Sequence, residues 1–194
     1  MWAGMLNDRS TPAAFLATRR SGKPRDLVAP GPDADELTDM LTIAARTPDH
    51  GKIAPWRFVV VAPERRAALA TLLTEACRSE KPGASAGEIA GLEQFAHQAP
   101  TLVVVLSSPR VDSPIPVWEQ ELSAGAACMN LLHAAHAAGY AAGWLTGWAA
   151  FSETVLGAFG AASERIVGFV FIGTPSRPLD ERPRPAIDRI VSHW

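Results

Sequence analysis

The sequence is short of cysteine, of long apolar runs and of any excess of one charge. Its 194 residues include two cysteines, and 18 basic residues nearly balance 20 acidic ones, for a formal net charge of −2. Two cysteines are too few for a disulfide framework, and we expect Cys77 and Cys128, both in alanine-rich surroundings, to pack as small apolar side chains. The charge balance gives no indication of a nucleic-acid or membrane-surface partner.

No apolar run reaches the length of a membrane span, since His and Gly interrupt the stretch AAHAAGYAAGWLTGWAA. The N-terminus, MWAGMLNDRSTPAAF, lacks the basic segment and following apolar segment of a signal peptide. We therefore expect a cytoplasmic protein with no membrane partner. The length suffices for one hydrophobic core, and no repeat or linker divides the chain, so we expect residues 1–194 to form a single domain.

Several catalytic signatures are also missing. The chain contains no GxSxG elbow, no GxGxxG fingerprint and no P-loop, which argues against the hydrolases, dinucleotide folds and phosphoryl-transfer enzymes that depend on them. His133 and His136 share a helix face downstream of Glu119 and Glu121, but no HExxH-type spacing links them. We expect no metal site, and a metal-dependent hydrolase using His50 or the pair His133 and His136 is the weakest alternative.

The patterning that is present predicts an α+β fold with a small mixed sheet and helices on both faces. Three runs rich in Val and Ile, RFVVVA, TLVVVLSS and RIVGFVFIGTP, predict strands covered on both faces. Thr11 before Pro12, and Asp33 with Glu36, are typical of helix starts. Residues 117–138 are small and apolar nearly all round, which indicates a helix buried in the domain or at a subunit interface.

Two stretches are candidates for ligand binding. The segment TRRSGKP places two guanidiniums, a hydroxyl and an amine within five positions, a set that suits phosphate, although a solvated basic turn has the same composition. Gly139, Gly143 and Gly147 lie four apart around GYAAGWLTG. They permit close backbone approach to a flat ligand, or equally serve helix termination and turns.

Taken in order, four segments resemble the FMN-dependent nitroreductase family, especially its compact bacterial members. They are TRRSGKP, MLTIAARTPDHGKIAPWRFVVV, WEQELSAGAACMNLLHAAHAAGYAAGWLTG and IVGFVFIGTPSRP, and together they span nearly the whole chain. The resemblance implies a nitroreductase-like fold, an intertwined homodimer, bound FMN, and NADH or NADPH as electron donor. It further implies ping-pong transfer of electrons to a nitroaromatic, a quinone or a similar small acceptor.

The resemblance also implies which residues bind, and it implies no catalytic side chain, because flavin N5 carries the chemistry. Residues near the FMN phosphate and the pyrimidine edge of the ring are Arg19, Arg20, Ser21, Lys23 and Arg184. Residues along the isoalloxazine are Trp144, Leu145 and Thr146. Residues that reach the FMN of the other subunit are Arg46, Pro48 and His50. Residues that receive the nicotinamide nucleotide are Ala134, Ala138 and Gly139.

The loop at residues 49–54 departs from the broader family, which has a Ser-rich loop with an Asn before Gln-Pro-Trp. Here the chain has Asp49-His50-Gly51-Lys52 and then Ala54, a form that the compact branch tolerates. Substrate preferences of the larger enzymes therefore do not carry over. A carrier or sensor that binds FMN without turnover is the main alternative to an enzyme.

Overall fold

The computed structural model describes residues 5–194. Within this range the α-helices are α1 (Pro12–Thr18), α2 (Ala34–Ala44), α3 (Arg66–Glu80), α4 (Ala86–Ala96), α5 (Val117–Ala137) and α6 (Glu153–Phe159). The strands are β1 (Leu27–Val28), β2 (Trp56–Val60), β3 (Thr101–Ser107), β4 (Ala141–Leu145) and β5 (Arg165–Pro175). The first two helices begin at the predicted caps, since Thr11 Oγ1 accepts the Ala14 N–H and Asp33 forms a capping box with Glu36.

The sheet is antiparallel at every pairing within the described residues, so the expected mixed sheet needs correction. β5 lies at its centre, with β3 and then β2 on one side and with β1 and β4 on the other. The composition of a strand does not contain its direction, because direction depends on which distant strand it pairs with.

Helices cover both faces of the sheet, as predicted. Alternate residues of β3 and β5 point to opposite sides, so the two strands supply both halves of the core. On one side Val104 and Phe171 pack with α3 and α4, and on the other Val103 and Ile172 pack with α2 and α5. Both strands are therefore buried on two faces.

β2 is an edge strand, and none of its five residues is fully buried, contrary to the prediction that both of its faces are covered. It pairs with β3 alone in the described sheet, and Val60 keeps 45% of its surface exposed. Its run of Val resembles that of β3, so composition does not separate an edge strand from a central one. The sequence patterning does not predict β1 or β4, because β1 has two residues and β4 begins with Ala141, Ala142 and Gly143.

The two cysteines are free and buried, which confirms that they pack as small apolar residues. Cys128 lies in the cluster between α5 and the sheet, where burial raises the pKa of its thiol. Between residues 5 and 194, no helix combines the length and the apolar character that crossing a bilayer requires.

Candidate functional site

The segment that follows α1 runs in extended form beside β4. Asn7 holds it on one side, because its Oδ1 accepts the Arg20 N–H at 2.7 Å and its Nδ2 donates to the Arg20 carbonyl at 2.9 Å. On the other side the Gly22 N–H donates to the Ala142 carbonyl at 2.9 Å. These hydrogen bonds fix the path of residues 19–22 against the edge of the sheet.

The segment and β4 approach so closely that the contact requires glycine. A Cβ atom at Gly143 would lie 2.5 Å from the Gly22 carbonyl oxygen, a distance that no side chain tolerates. Of the three glycines predicted to permit close approach, Gly143 does so, but the group that approaches it is the chain's own backbone.

A cleft of about 390 Å³ opens between this segment and the end of β4. The structure brings five predicted site residues together around it, namely Arg20, Ser21, Lys23, Trp144 and Leu145. The cleft thus has cationic and hydroxyl groups at one wall and the end of β4 at the other.

The end of β4 is held in place by the sheet. Trp144 is half-buried, and its indole Nε1 donates to the Val167 carbonyl at 2.9 Å. Thr146 follows β4 directly and is exposed. This hydrogen bond anchors the Trp144 side chain on β5, so the end of β4 that lines the cleft is preformed.

Three arginines from two distant parts of the chain meet beside the cleft. Arg184 Nη2 donates to the Arg19 carbonyl at 3.2 Å, and Arg20 Nε donates to the Asp180 carbonyl at 2.6 Å. Burial, followed by the charges of Arg184 and Arg20, lowers the pKa of Arg19. Guanidiniums gathered in this way suit an anion with several acceptor oxygens.

Two carboxylates of the tail partly offset these charges. Lys23 Nζ lies 2.7 Å from Asp180 Oδ2, and the hydrogen bond from Lys23 lowers the pKa of that carboxyl. Glu181 Oε1 lies 3.5 Å from Arg184 Nη2. Arg19 instead donates to the Ser21 hydroxyl at 3.1 Å, so its guanidinium is oriented by a neutral group.

Pro48 and His50 lie towards the start of α5, away from the cleft, whereas Arg46 precedes Thr47, whose hydroxyl accepts a hydrogen bond from Asn130 in the second half of the helix at 2.7 Å. Ser123 Oγ donates to the Pro48 carbonyl at 2.6 Å, and His50 Nδ1 lies 2.8 Å from Glu119 Oε2. The far end of the same helix carries His133, whose pKa is lowered by burial and by Arg19. Fourteen residues, or about 21 Å of helix, separate Glu119 from His133. One chain therefore does not bring His50 to the cleft.

The loop that carries His50 is pinned in a strained conformation. The Asp49 carboxylate accepts the N–H groups of Ile53 and Ala54 at 3.0 and 2.7 Å. Gly51, Lys52 and Ala54 all have positive φ, at 76°, 57° and 52°. Backbone strain of this kind is concentrated at functional sites. Lysine and alanine carry no local pattern that predicts positive φ, so the strain at these two positions is visible only in the structure.

The three residues predicted to receive a nicotinamide nucleotide lie at the end of α5 but differ in exposure. Ala134 is buried in the core against the sheet, whereas Ala138 and Gly139 are exposed. Gly139 lines a second cavity of about 810 Å³, together with Arg9 and His136. The Ala134 side chain therefore faces the core and not this cavity.

The histidines have partners other than a metal. His133 packs edge-on against Phe15 with ring centroids 5.6 Å apart, and His136 Nε2 accepts the Ala142 N–H at 3.1 Å. Across residues 5–194, no three His, Cys, Asp or Glu side chains are grouped as metal ligands.

Three residues that contact or line the site lie far from the basic segment in the sequence, and no local sequence pattern indicates them. Asn7 clamps the basic segment, Asp180 binds Lys23, and Gln98 lines the cleft. Each is far from its partner along the chain, so local spacing carries no signal for these contacts.

Comparison with known proteins shows which family this chain is similar to. Residues 16–174 match a model of the nitroreductase family. The chain is 33% identical over 162 residues to YdjA of Escherichia coli K12, which its name describes as a candidate NAD(P)H nitroreductase, covering 83% of this chain and 86% of YdjA. It is 36% identical over 163 residues to a similarly named protein of Haemophilus influenzae, with coverage of 82% and 86%.

Solved structures share the fold. A nitroreductase-like family protein from Bacillus cereus superposes with a TM-score of 0.81 at 21% identity, covering 95% of this chain and 96% of that one. A point mutant of NfnB, an FMN- and NADPH-dependent nitroreductase from Sphigopyxis sp. strain HMH, gives a TM-score of 0.71 at 21% identity, with coverage of 92% and 96%.

Proposed function

The chain belongs to the nitroreductase family, and we propose that it is an FMN-dependent enzyme that passes electrons from NAD(P)H to a nitroaromatic, quinone or similar small acceptor by a ping-pong mechanism. The names of the relatives support an oxidoreductase, and the NfnB enzyme of the same fold depends on FMN. The observation of this chain that carries the proposal is the meeting of Arg19, Arg20 and Arg184 beside a cleft walled by Trp144.

The residues of the cleft fit FMN in their chemistry. Arg19, Arg20 and Arg184 offer planar donors for a phosphate, and Ser21 adds a hydroxyl. Burial of Arg19 strengthens its attraction for an anion, because the screening by water is reduced. Gly143, Trp144 and Leu145 place the end of β4 along the cleft, where a flat ring system can lie against the strand.

When bound, FMN supplies the redox chemistry by accepting a hydride and returning electrons to the acceptor. The chain's own residues bind and orient. The hydrogen bond from Trp144 to Val167 fixes one wall, and the close contact of Gly143 with Gly22 fixes the spacing between the two walls. Lys23, held by Asp180, places a cation at the same wall, where it favours negative charge.

The complete site is proposed to form in an intertwined homodimer. α5 exposes Trp118 and Leu122, at 67% and 54%, on one helix face, and apolar faces of this kind favour burial against another chain. His50, paired with Glu119, lies about 21 Å along α5 from His133, whose pKa Arg19 lowers, so a second copy is needed to bring His50 to the cleft.

The tail provides a matched test of the arginine cluster. Arg184 and Arg182 are both exposed, but Arg184 donates to the Arg19 carbonyl whereas Arg182 forms a hydrogen bond only through its backbone N–H, to Glu181, among the described contacts. We expect purified protein to be yellow and to release about one FMN per chain. R184A is expected to weaken FMN binding about tenfold, as for loss of one charge-assisted contact, and R182A to leave it unchanged. A colourless protein that refuses added FMN contradicts the proposal.

Turnover separates an enzyme from a carrier or sensor. Under anaerobic conditions, NADH or NADPH is expected to bleach the bound flavin, and an added quinone is expected to restore the colour repeatedly. A flavoprotein that NAD(P)H does not bleach supports the carrier instead. Bound metal in a colourless preparation favours the hydrolase alternative, which metal analysis tests directly.

A further inference from the structure

His136 is a buried polar residue to which the proposed redox chemistry gives no task. It lies near the end of α5 with 1% of its surface exposed, and its Nε2 accepts the backbone N–H of Ala142 at 3.1 Å. Its Nδ1 has no hydrogen-bond partner among the described residues. A polar side chain is retained in such a place at a cost, which calls for a physical reason.

The protonation state of His136 follows from its environment. Burial lowers its pKa to about 4, and the nearby charges of Arg19 and His133 act in the same direction. The ring is therefore neutral at pH 7. Because Nε2 accepts a hydrogen bond, the proton resides on Nδ1. His136 thus serves as a hydrogen-bond acceptor.

Ala142 connects this acceptor to the basic segment. It lies opposite Ile172 of β5, but its own N–H and carbonyl both point away from that strand. The N–H binds His136, and the carbonyl accepts the Gly22 N–H at 2.9 Å. The two hydrogen bonds lie on successive peptide groups that share the Ala142 Cα, so a displacement of the first peptide group moves the second.

We propose that His136 is a positioning residue, which acts through Ala142 and Gly22 to hold the Arg19–Ser21 segment against β4 in the geometry that binds the flavin phosphate. Its effect on phosphate binding rests on the function proposed above. Without the lone pair on Nε2, the buried N–H of Ala142 loses its partner, and the peptide rotates or admits water. The Gly22 contact then loosens, although no group that touches the ligand has been removed.

Three substitutions separate the acceptor from the bulk of the side chain. In H136Q a carboxamide oxygen reaches the place of Nε2, whereas in H136N the shorter side chain reaches only the place of Nδ1. H136L fills the space and accepts nothing. We expect amide exchange at Gly22 and Ala142 to quicken about tenfold or more in H136N and H136L, and to stay within about threefold of wild type in H136Q.

Ligand titration gives the second readout. H136N and H136L are expected to raise the Kd for FMN about tenfold but to change the Kd for riboflavin, which lacks the phosphate, less than about threefold; H136Q restores FMN binding. L131A is the control, since Leu131 is fully buried on the same helix and its loss destabilises the core without removing an acceptor. It is expected to leave the ratio of the two Kd values unchanged.

The outcomes are distinguishable. If L131A shifts the ratio as much as H136L, or if H136Q fails to rescue it, His136 is merely structural and the inference is overturned. If wild type binds no FMN, the proposed function fails, and the exchange rates at Gly22 still test the link to His136. Unchanged exchange at Gly22 in soluble H136L overturns that link.

Discussion

At the level of individual residues, Arg66 is a buried cation that stabilises the fold with no carboxylate among its described hydrogen-bond partners. It keeps 6% of its surface, and its guanidinium donates to the carbonyls of Val61, Ala96, Gln98 and Pro100 at 2.9–3.4 Å. Burial lowers its pKa to about 10, so it is still charged at neutral pH. One side chain thus joins the end of α4 to the start of β3.

Replacing Arg66 tests this assignment. R66L leaves several buried carbonyl groups without a donor, so we expect the free energy of unfolding to fall by about 2–4 kcal/mol in urea titrations. R65L is the matched control, because Arg65 is exposed and its side chain forms no cap, and its effect should stay within about 0.5 kcal/mol. Equal losses in the two variants contradict the assignment.

His136 also makes stability depend on pH. Its pKa is about 4 in the fold and near 6.5 in the unfolded chain, so between these values the unfolded chain binds more protons. The contribution of neutral His136 to the free energy of unfolding is therefore fully present above about pH 7 and is lost as the pH falls from 6.5 towards 4. Between about pH 7 and pH 4.5 we expect wild type to lose about 2 kcal/mol more than H136Q, measured by denaturant titration at each pH. If the free energy of unfolding depends on pH in the same way for wild type and H136Q, the prediction is wrong.

At the level of helices and strands, the contact between β4 and the segment after α1 decides the width of the cleft. Sequence alone located the basic segment and the Trp144 region as separate candidates. The family resemblance implied that both bind one FMN, but it did not give their direct contact, because the pairing of Gly22 with Ala142 and the approach of Gly143 join parts of the chain more than a hundred residues apart. The close approach that Gly143 was expected to allow to a ligand is made in this chain by the Gly22 backbone.

A single methyl group at Gly143 tests the contact. In G143A the new Cβ meets the Gly22 carbonyl oxygen, so we expect a loss of about 1–3 kcal/mol in stability and a clear loss of FMN affinity. Gly91 in α4 has open space around it, so G91A should instead stabilise the helix by up to about 1 kcal/mol and leave affinity unchanged. Wild-type affinity in G143A means that the spacing is unimportant.

Across the whole molecule, α5 links the cleft to a distant, strained loop. His50 and Glu119 form an exposed pair at one end of the helix, and the arginine cluster lies near the other. The exposed apolar residues Trp118 and Leu122 lie towards the His50 end, so the proposed interface would bury the face next to that loop. A dimer explains both features together.

Breaking the proposed interface tests this explanation. L122E places a charge on the exposed face of α5, so we expect sedimentation to show monomers and FMN to be lost, since Arg46 and His50 of the other subunit are removed with it. A68E puts the same charge on an exposed position of α3, which packs on the opposite face of the sheet, and should keep both the assembly and the flavin. A monomeric L122E that retains FMN at wild-type affinity rules out the role across subunits.

Features that depend on near neighbours could be predicted from the sequence: the capped starts of α1 and α2, the buried runs of β3 and β5, and the basic segment, because caps and apolar periodicity act within a few residues. The order of the segments was also enough to identify the family. The antiparallel sheet, the edge position of β2 and the contact of Arg184 with Arg19 became visible in the folded chain alone. Those properties depend on contacts between distant parts of the chain, which no local pattern encodes.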